Sequence, residues 1–273
     1  MEIVVGVVDY TEKNPRHWQP EGKQVRSAFT QPSGMMYTGS SGIWDTVWAE
    51  CVHAKAYVAS TNIQSQLSNN SSSVHVEVEL GGSKTSNITV CVAVSDGAKP
   101  LGPPNGTCML AGSSSVIIGM DMPTDAKLWS PDHPFLYNAT ITLLVEGNVV
   151  DTVHTYFGHR TISTGLVAGR PRILLNNEPY YLIGPLDQGW FPDGLYSAAT
   201  DDALKSDLVA MKKMGMNSVR KHMKVDTRRW YHHANTLGLL VWQDIPAWAG
   251  DESCFEEILA PEIAAIHTTV KSQ

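Results

Sequence analysis

Between Glu178 and Asp244 the chain alternates between two hydrophobic periods, and that alternation limits its fold more than any other feature. Tyr181-Leu182-Ile183 is a short apolar run that predicts a first strand. Thr200 then offers a hydroxyl to a free amide of a helix's first turn. Asp201 and Asp202 suit that helix's positive end, and Lys212 and Lys213 its negative end. Leu204, Leu208 and Met211 recur at helical spacing, and Gly215 is the stop. Asn217-Ser218-Val219 predicts a second strand. Asp226 is then expected to cap a second helix, with Trp230, Ala234 and Leu237 on one face and Gly238 at its end. Leu239 to Trp242 is an unbroken apolar run, as a strand buried on both faces requires.

Strands that alternate with helices argue for a parallel sheet with right-handed crossovers, and such sheets bind ligands at the carboxyl ends of their strands. Those ends carry Asp187, Asp193, Arg220, His222 and Asp244, a constellation that makes this the candidate site. The competing reading is a solvated loop rim.

Upstream the period changes to two. Val74, Val76, Val78 and Leu80 alternate with Ser73, His75, Glu77 and Glu79, and Ile88 to Val94 and Tyr137 to Val145 repeat the pattern. Turn formers such as Asp96-Gly97 and Glu146-Gly147-Asn148 separate these runs. Residues 55–163 therefore predict an immunoglobulin-like β-sandwich. Downstream, Phe255, Ile258 and Leu259, then Ile263, Ile266 and Val270, predict a third helix interrupted at Pro261.

Composition excludes several classes of partner. A net charge of −7 leaves no electrostatic footprint for nucleic acid or an anionic membrane, and no apolar run approaches a membrane span. The start, MEIVVGVVDY, lacks the features of a signal peptide. Asn69, Asn70, Asn87, Asn105 and Asn138 head N-glycosylation sequons, which favours a secretory or lysosomal route. The cysteines show no metal spacing; a Cys91–Cys108 disulfide and buried free thiols both fit. Adjacent His232 and His233 face different sides of a helix, so no metal or other cofactor is expected. Most of the eight tryptophans are expected in cores.

The phrases LDQGWFPDGLY, VRKHMKVD and GLLVWQDIP closely resemble the opening of the catalytic barrel of glycoside hydrolase family 2, which holds β-galactosidases, β-glucuronidases and β-mannosidases. LWSPDHPFLY and YFGHRTIS resemble that family's immunoglobulin-like domain, and SGIWDTVWAE the end of its sugar-binding jelly roll. The resemblance implies three parts: residues 1–54 as the last portion of a jelly roll, 55–163 as the sandwich and 164–273 as the first βα units of a (β/α)8 TIM barrel. Ile173-Leu174-Leu175 followed by Asn176-Asn177 predicts a hairpin leading into the first barrel strand, as the resemblance implies.

The implied activity is retaining hydrolysis of β-linked O-glycosides in carbohydrate metabolism, with a β-glycoside as substrate. In that family both catalytic carboxyls are glutamates on later barrel strands. Asn177-Glu178 precedes the first strand and stands at the wrong end, so no residue here is expected to be catalytic. The resemblance makes Asp187, Asp193, Arg220, His222, Asp244 and Trp248 substrate-side groups. Arg220 suits a carboxylate, His222 a hydroxyl or a neighbouring side chain, and Asp244 vicinal hydroxyls; Trp248 would floor a subsite. His222 as a structural histidine and Trp248 as plain core are the plainer readings. The competing function is a non-catalytic carbohydrate-binding or scaffold fragment.

Overall fold

A computed structural model describes residues 2–8, 22–25, 36–68, 71–83, 87–103 and 105–246. The described residues are mostly β and fall into two compact units. One draws on Met1–Trp48 and Ile183–Val270, the other on Ala49–Leu182. No closed barrel forms among them. None of their helices is long and apolar enough to cross a membrane.

In the first unit, β1 (Gln24–Val25) and β2 (Tyr37–Thr38) pair in parallel. The second unit then runs from β3 to β13. One of its sheets has the order β3 (Tyr57–Leu67), β4 (Ser72–Gly81), β8 (Ser115–Asp121). The facing sheet has the order β10 (Asn148–Phe157), β9 (Tyr137–Val145), β5 (Ile88–Asp96), β6 (Lys99–Leu101), with β7 (Thr107–Leu110) also on β5. Every pairing in both is antiparallel.

The period-two runs close this unit. Val76 and Val78 of β4 and Val116 and Ile118 of β8 meet Val90 and Val92 of β5 and Ile141 and Leu143 of β9 in one buried cluster. At about 25 cal/mol per Å² of apolar surface removed from water, such a cluster is the unit's main stabilising term. Cys91 and Cys108 are register partners on β5 and β7 and form a disulfide, which decides between the two readings of these cysteines. A further sheet, β11 (Ile162–Val167), β12 (Arg170–Leu175) and β13 (Glu178–Pro179), contains the expected hairpin. Its two-residue turn places Asn176 and Asn177 at φ 52° and 69°, the tight hairpin geometry that asparagine tolerates.

Back in the first unit, β14 (Leu186–Asp187), α1 (Asp201–Lys213), β15 (Ser218–Lys221), α2 (Arg228–Leu237) and β16 (Leu240–Gln243) form a parallel three-stranded sheet with two crossover helices. The Thr200 hydroxyl accepts from the Ala203 amide at 3.0 Å, and Leu204, Leu208 and Met211 are buried. Gly238 ends α2 in the left-handed region.

Three expectations change. The first strand forms at Leu186–Asp187 rather than at Tyr181–Ile183, where Tyr181 is 81% exposed. Gly184 explains the shift: its backbone lies so close to Ser218 that a β-carbon there would sit 1.8 Å from the Ser218 carbonyl oxygen. Ladder bonding runs from Ile183 onward, with Pro185 and Asp187 carbonyls accepting from Arg220 and His222 amides. Asp226 does not cap α2; that position is Thr227, whose side chain makes no capping bond, and Asp226 is turned inward to lysines. The run Leu239–Trp242 is not buried on both faces: β16 is an edge strand among the described residues, and Trp242 is 56% exposed. Tryptophans divide likewise: Trp129 and Trp230 are fully buried, whereas Trp44, Trp48 and Trp242 are exposed. Trp248 and the helix expected after Phe255 lie outside the described residues.

Candidate functional site

Alternation along β15 sends neighbouring cations to opposite faces of the parallel sheet. Leu186, Arg220 and Trp242 are register partners in one row and are exposed; Asp187, Lys221 and Gln243 form the next row and point inward. Two assemblies result.

On the open face, Arg220 grips Asp244. Its Nε donates to Asp244 Oδ1 at 3.0 Å and Oδ2 at 3.1 Å, and its Nη2 to Oδ2 at 2.9 Å. This planar fork fixes the carboxylate in orientation. Asp244 is itself located by its amide, which donates to the Lys221 carbonyl. The His222 Nε2 lies 3.9 Å from Asp244 Oδ2. Burial pushes the His222 pKa below its ordinary value, with Asp244 opposing the shift and Lys23 and Arg220 adding to it. His222 is thus a neutral imidazole near pH 7, and its Nδ1 is buried with no hydrogen-bond partner among the described residues. The arrangement offers a fixed carboxylate with spare lone pairs, an exposed guanidinium edge and an imidazole nitrogen. It is equipped to hold a polyol.

Behind the sheet lies a second assembly that the sequence reading missed. Lys221 is fully buried, and its ammonium pairs with Asp187 Oδ2 at 2.9 Å and Asp226 Oδ2 at 2.5 Å. It also lies 4.3 Å from the Trp230 ring centre. Lys224 donates to the carbonyls of Gly189 and Tyr196, each at 2.7 Å, and sits 4.4 Å from the Tyr196 ring centre. Burial lowers the Lys224 pKa to about 8, with Asp226 resisting. Burial opposes ionisation of Asp226, but Lys221 and Lys224 outweigh it and hold the carboxyl below its ordinary value. Gln243 ties in α2, accepting from the Tyr231 hydroxyl and donating to the Lys224 carbonyl.

The two lysines clamp the loop after β14. Gly189 is required there: its φ is +66°, and a β-carbon would meet Lys221 Nζ at 2.7 Å. Tyr37 stacks on Trp190 of this loop, and Trp44 meets Tyr196 edge to face, so the segment 37–44 forms part of the loop's support.

Of the six sequence-predicted residues, Arg220, His222 and Asp244 come together. Asp187 is held elsewhere, its carboxylate shared between the Gly189 amide and Lys221. Asp193 is exposed, and Trp248 lies outside the described residues. The missed Lys221 had a signal: it directly follows Arg220 in the strand, so the two cations take opposite faces and only one can be on the open side. Among the described residues no group of three or more His, Cys, Asp or Glu could hold a metal ion.

Comparison with known proteins gives one consistent result. The family model for glycosyl hydrolases family 2 matches residues 56–160. A β-galactosidase from Thermoanaerobacter pseudethanolicus is 31% identical over 139 residues, 50% of this chain and 18% of that protein. A β-glucuronidase from Streptococcus agalactiae is 28% identical over 125 residues, 45% of this chain and 20% of that protein. Among solved structures, Parabacteroides merdae β-glucuronidase aligns with 80% of this chain and 28% of its own, at TM-score 0.65 and 22% identity. A β-galacturonidase from Eisenbergiella tayi, bound to galacturonate, aligns with 72% of this chain and 34% of its own, at TM-score 0.59 and 21% identity. The chain thus spans about a fifth of the length of these two relatives and about a third or less of these two structures.

Proposed function

We propose that this chain is a member of glycosyl hydrolase family 2 and supplies the substrate-side wall of a retaining β-glycosidase. The observation that carries the reading is the Arg220–Asp244 fork at the carboxyl ends of parallel strands, with His222 beside it. A carboxylate locked in this way accepts vicinal hydroxyls of a pyranose, and the guanidinium edge donates to a ring substituent. Names of the relatives support β-galactosides or β-uronides as the glycoside class. In this reading Asp193 and Trp248 border the same subsite, and Asp187 acts through the loop that it braces.

The finer architecture belongs to the same proposal. Residues 55–163 are an immunoglobulin-like sandwich, 164–273 the opening βα units of a TIM barrel and 1–54 the last part of a jelly roll. The disulfide and the exposed sequon residues Asn87, Asn105 and Asn138 support a secretory route. Asn69 and Asn70 lie outside the described residues.

The test is direct binding. Methyl β-D-galactopyranoside and methyl β-D-glucuronide are titrated into the full 273-residue chain by calorimetry. Asp244→Asn should weaken the better ligand about ten- to a hundredfold, the effect of losing hydrogen bonds to a charged group. Unchanged affinity in both Asp244→Asn and Arg220→Ala would discard the site.

A further inference from the structure

A separate cavity lies at the first turns of α1 and α2. Its volume is about 230 Å³, and Trp44, Asp45, Tyr196, Asp201, Thr227 and Arg229 contribute to its lining. Both helices follow strands of the parallel sheet, so these first turns lie at the same end of the sheet as Arg220 and Asp244. The cavity shares no residue with the Arg220–Asp244 fork.

Its walls are fixed before any ligand enters. The Trp44 carbonyl accepts from the Ser197 hydroxyl at 3.0 Å, and the Trp44 and Tyr196 rings meet edge to face at 5.1 Å. Trp44 nevertheless keeps 37% of its surface exposed. Asp201 accepts from Arg229 Nε at 2.8 Å and His233 Nε2 at 2.9 Å, both at Oδ1, which leaves Oδ2 open. Hydrogen bonds from Arg229 and then His233 hold the Asp201 carboxyl far below its ordinary range, so it is an acceptor at any working pH. Thr227 lines the cavity, and its enclosed Oγ1 has no hydrogen-bond partner among the described residues. It begins α2 but makes no capping bond, so helix formation does not account for the hydroxyl.

We infer that this cavity is an accessory subsite for one neutral pyranose residue, distinct from the Arg220–Asp244 site. Aromatic rings suit the C–H face of a sugar. A fixed carboxylate, a guanidinium and an unsatisfied hydroxyl suit its O–H groups. The volume is below the roughly 300–1,000 Å³ of drug-sized pockets, which limits the occupant to one sugar unit. Charge selects against acidic ligands, because Asp45 and Asp201 line the cavity while Arg229 is already paired.

The test uses the whole chain, uniformly ¹⁵N-labelled, titrated with methyl β-D-galactopyranoside and separately with methyl β-D-glucuronide. The Trp44 indole resonance, assigned through Trp44→Phe, should shift saturably at millimolar galactoside. The uronide should act at least about tenfold more weakly. Affinity at this cavity, read from the shifts of neighbouring amides, should fall more than about tenfold in Trp44→Ala and less in Trp44→Phe, which keeps a ring. Thr227→Val should weaken binding about three- to tenfold, the effect of one neutral hydrogen bond. Arg220→Ala, which disables the fork, should leave the Trp44 response in place, so failure of one site is distinguishable from failure of the other. A Trp44 resonance that never moves, a Thr227→Val chain that binds as the parent does, or a uronide that binds as well as the galactoside overturns the inference.

Discussion

His159 is fully buried between two hydroxyls, with Ser72 Oγ at 2.7 Å from Nε2 and Ser65 Oγ at 2.9 Å from Nδ1. Burial lowers its pKa below the ordinary 6.5, so the folded chain prefers the neutral ring. An unfolded chain binds a proton near pH 6.5 and the folded one only at lower pH. The stabilisation is therefore complete above that value and is lost as pH falls through the folded pKa. The thermal midpoint should drop between pH 7 and pH 5, and His159→Gln should flatten that dependence; an equally steep profile in the variant would assign the effect to other groups. Sequence alone could not single out this histidine. Its environment is built from β3 and β4, far away along the chain, and no local pattern distinguishes it from the exposed His133. That Arg220, His222 and Asp244 share one end of the sheet was readable, because each stands within a residue of a strand's end and the strand patterns are local.

At the scale of elements, the parallel unit is held by the lysine clamp as much as by its apolar cluster. Lys221 is fully buried between Asp187 and Asp226. Lys221→Met should destabilise the unit by about 3–5 kcal/mol, because two carboxylates then rely on Lys224 alone. Adding Asp187→Asn restores the balance of one cation to one anion and should recover part of the loss. Denaturant melts of the two variants decide the matter, and a double variant no more stable than the single one would remove the clamp from the account. The two helices, the Thr200 cap of α1 and the stops at Gly215 and Gly238 were legible, whereas the start of α2 was not, because Asp226 turns to the lysines and Thr227 takes the cap position. The position of β14 was not, since Gly184 sets it through a contact with Ser218 that only the folded sheet reveals.

For the whole chain, the two compact units divide after Trp48 and before Ile183, so the hairpin strands of 164–182 group with the sandwich strands. The N-terminal segment was the hard part to read: Trp44 is contacted by Tyr196 and Ser197, more than a hundred residues on. Retaining hydrolysis requires two carboxyls about 5–5.5 Å apart across the scissile bond. Here Asp244 is committed to Arg220, and Asp187 to Lys221 and the Gly189 amide. The purified 273-residue chain should therefore show no turnover of aryl β-galactoside, β-glucuronide or β-mannoside. Turnover that disappears in Asp244→Asn would require another catalytic pair.

The opposite orientations of Arg220 and Lys221 bear on how damage to this chain would be experienced in a cell. Arg220 is half exposed, and its ion pair contributes little to folding. A lesion in its codon leaves a molecule that folds, escapes proteolysis and accumulates with its Asp244 carboxylate unclamped. One codon later, the lost cation leaves buried anions exposed to no solvent, and the product goes to the chaperones and proteases that clear unfolded chains. The two lesions differ by one position on the strand, yet one yields an idle protein and the other a missing one.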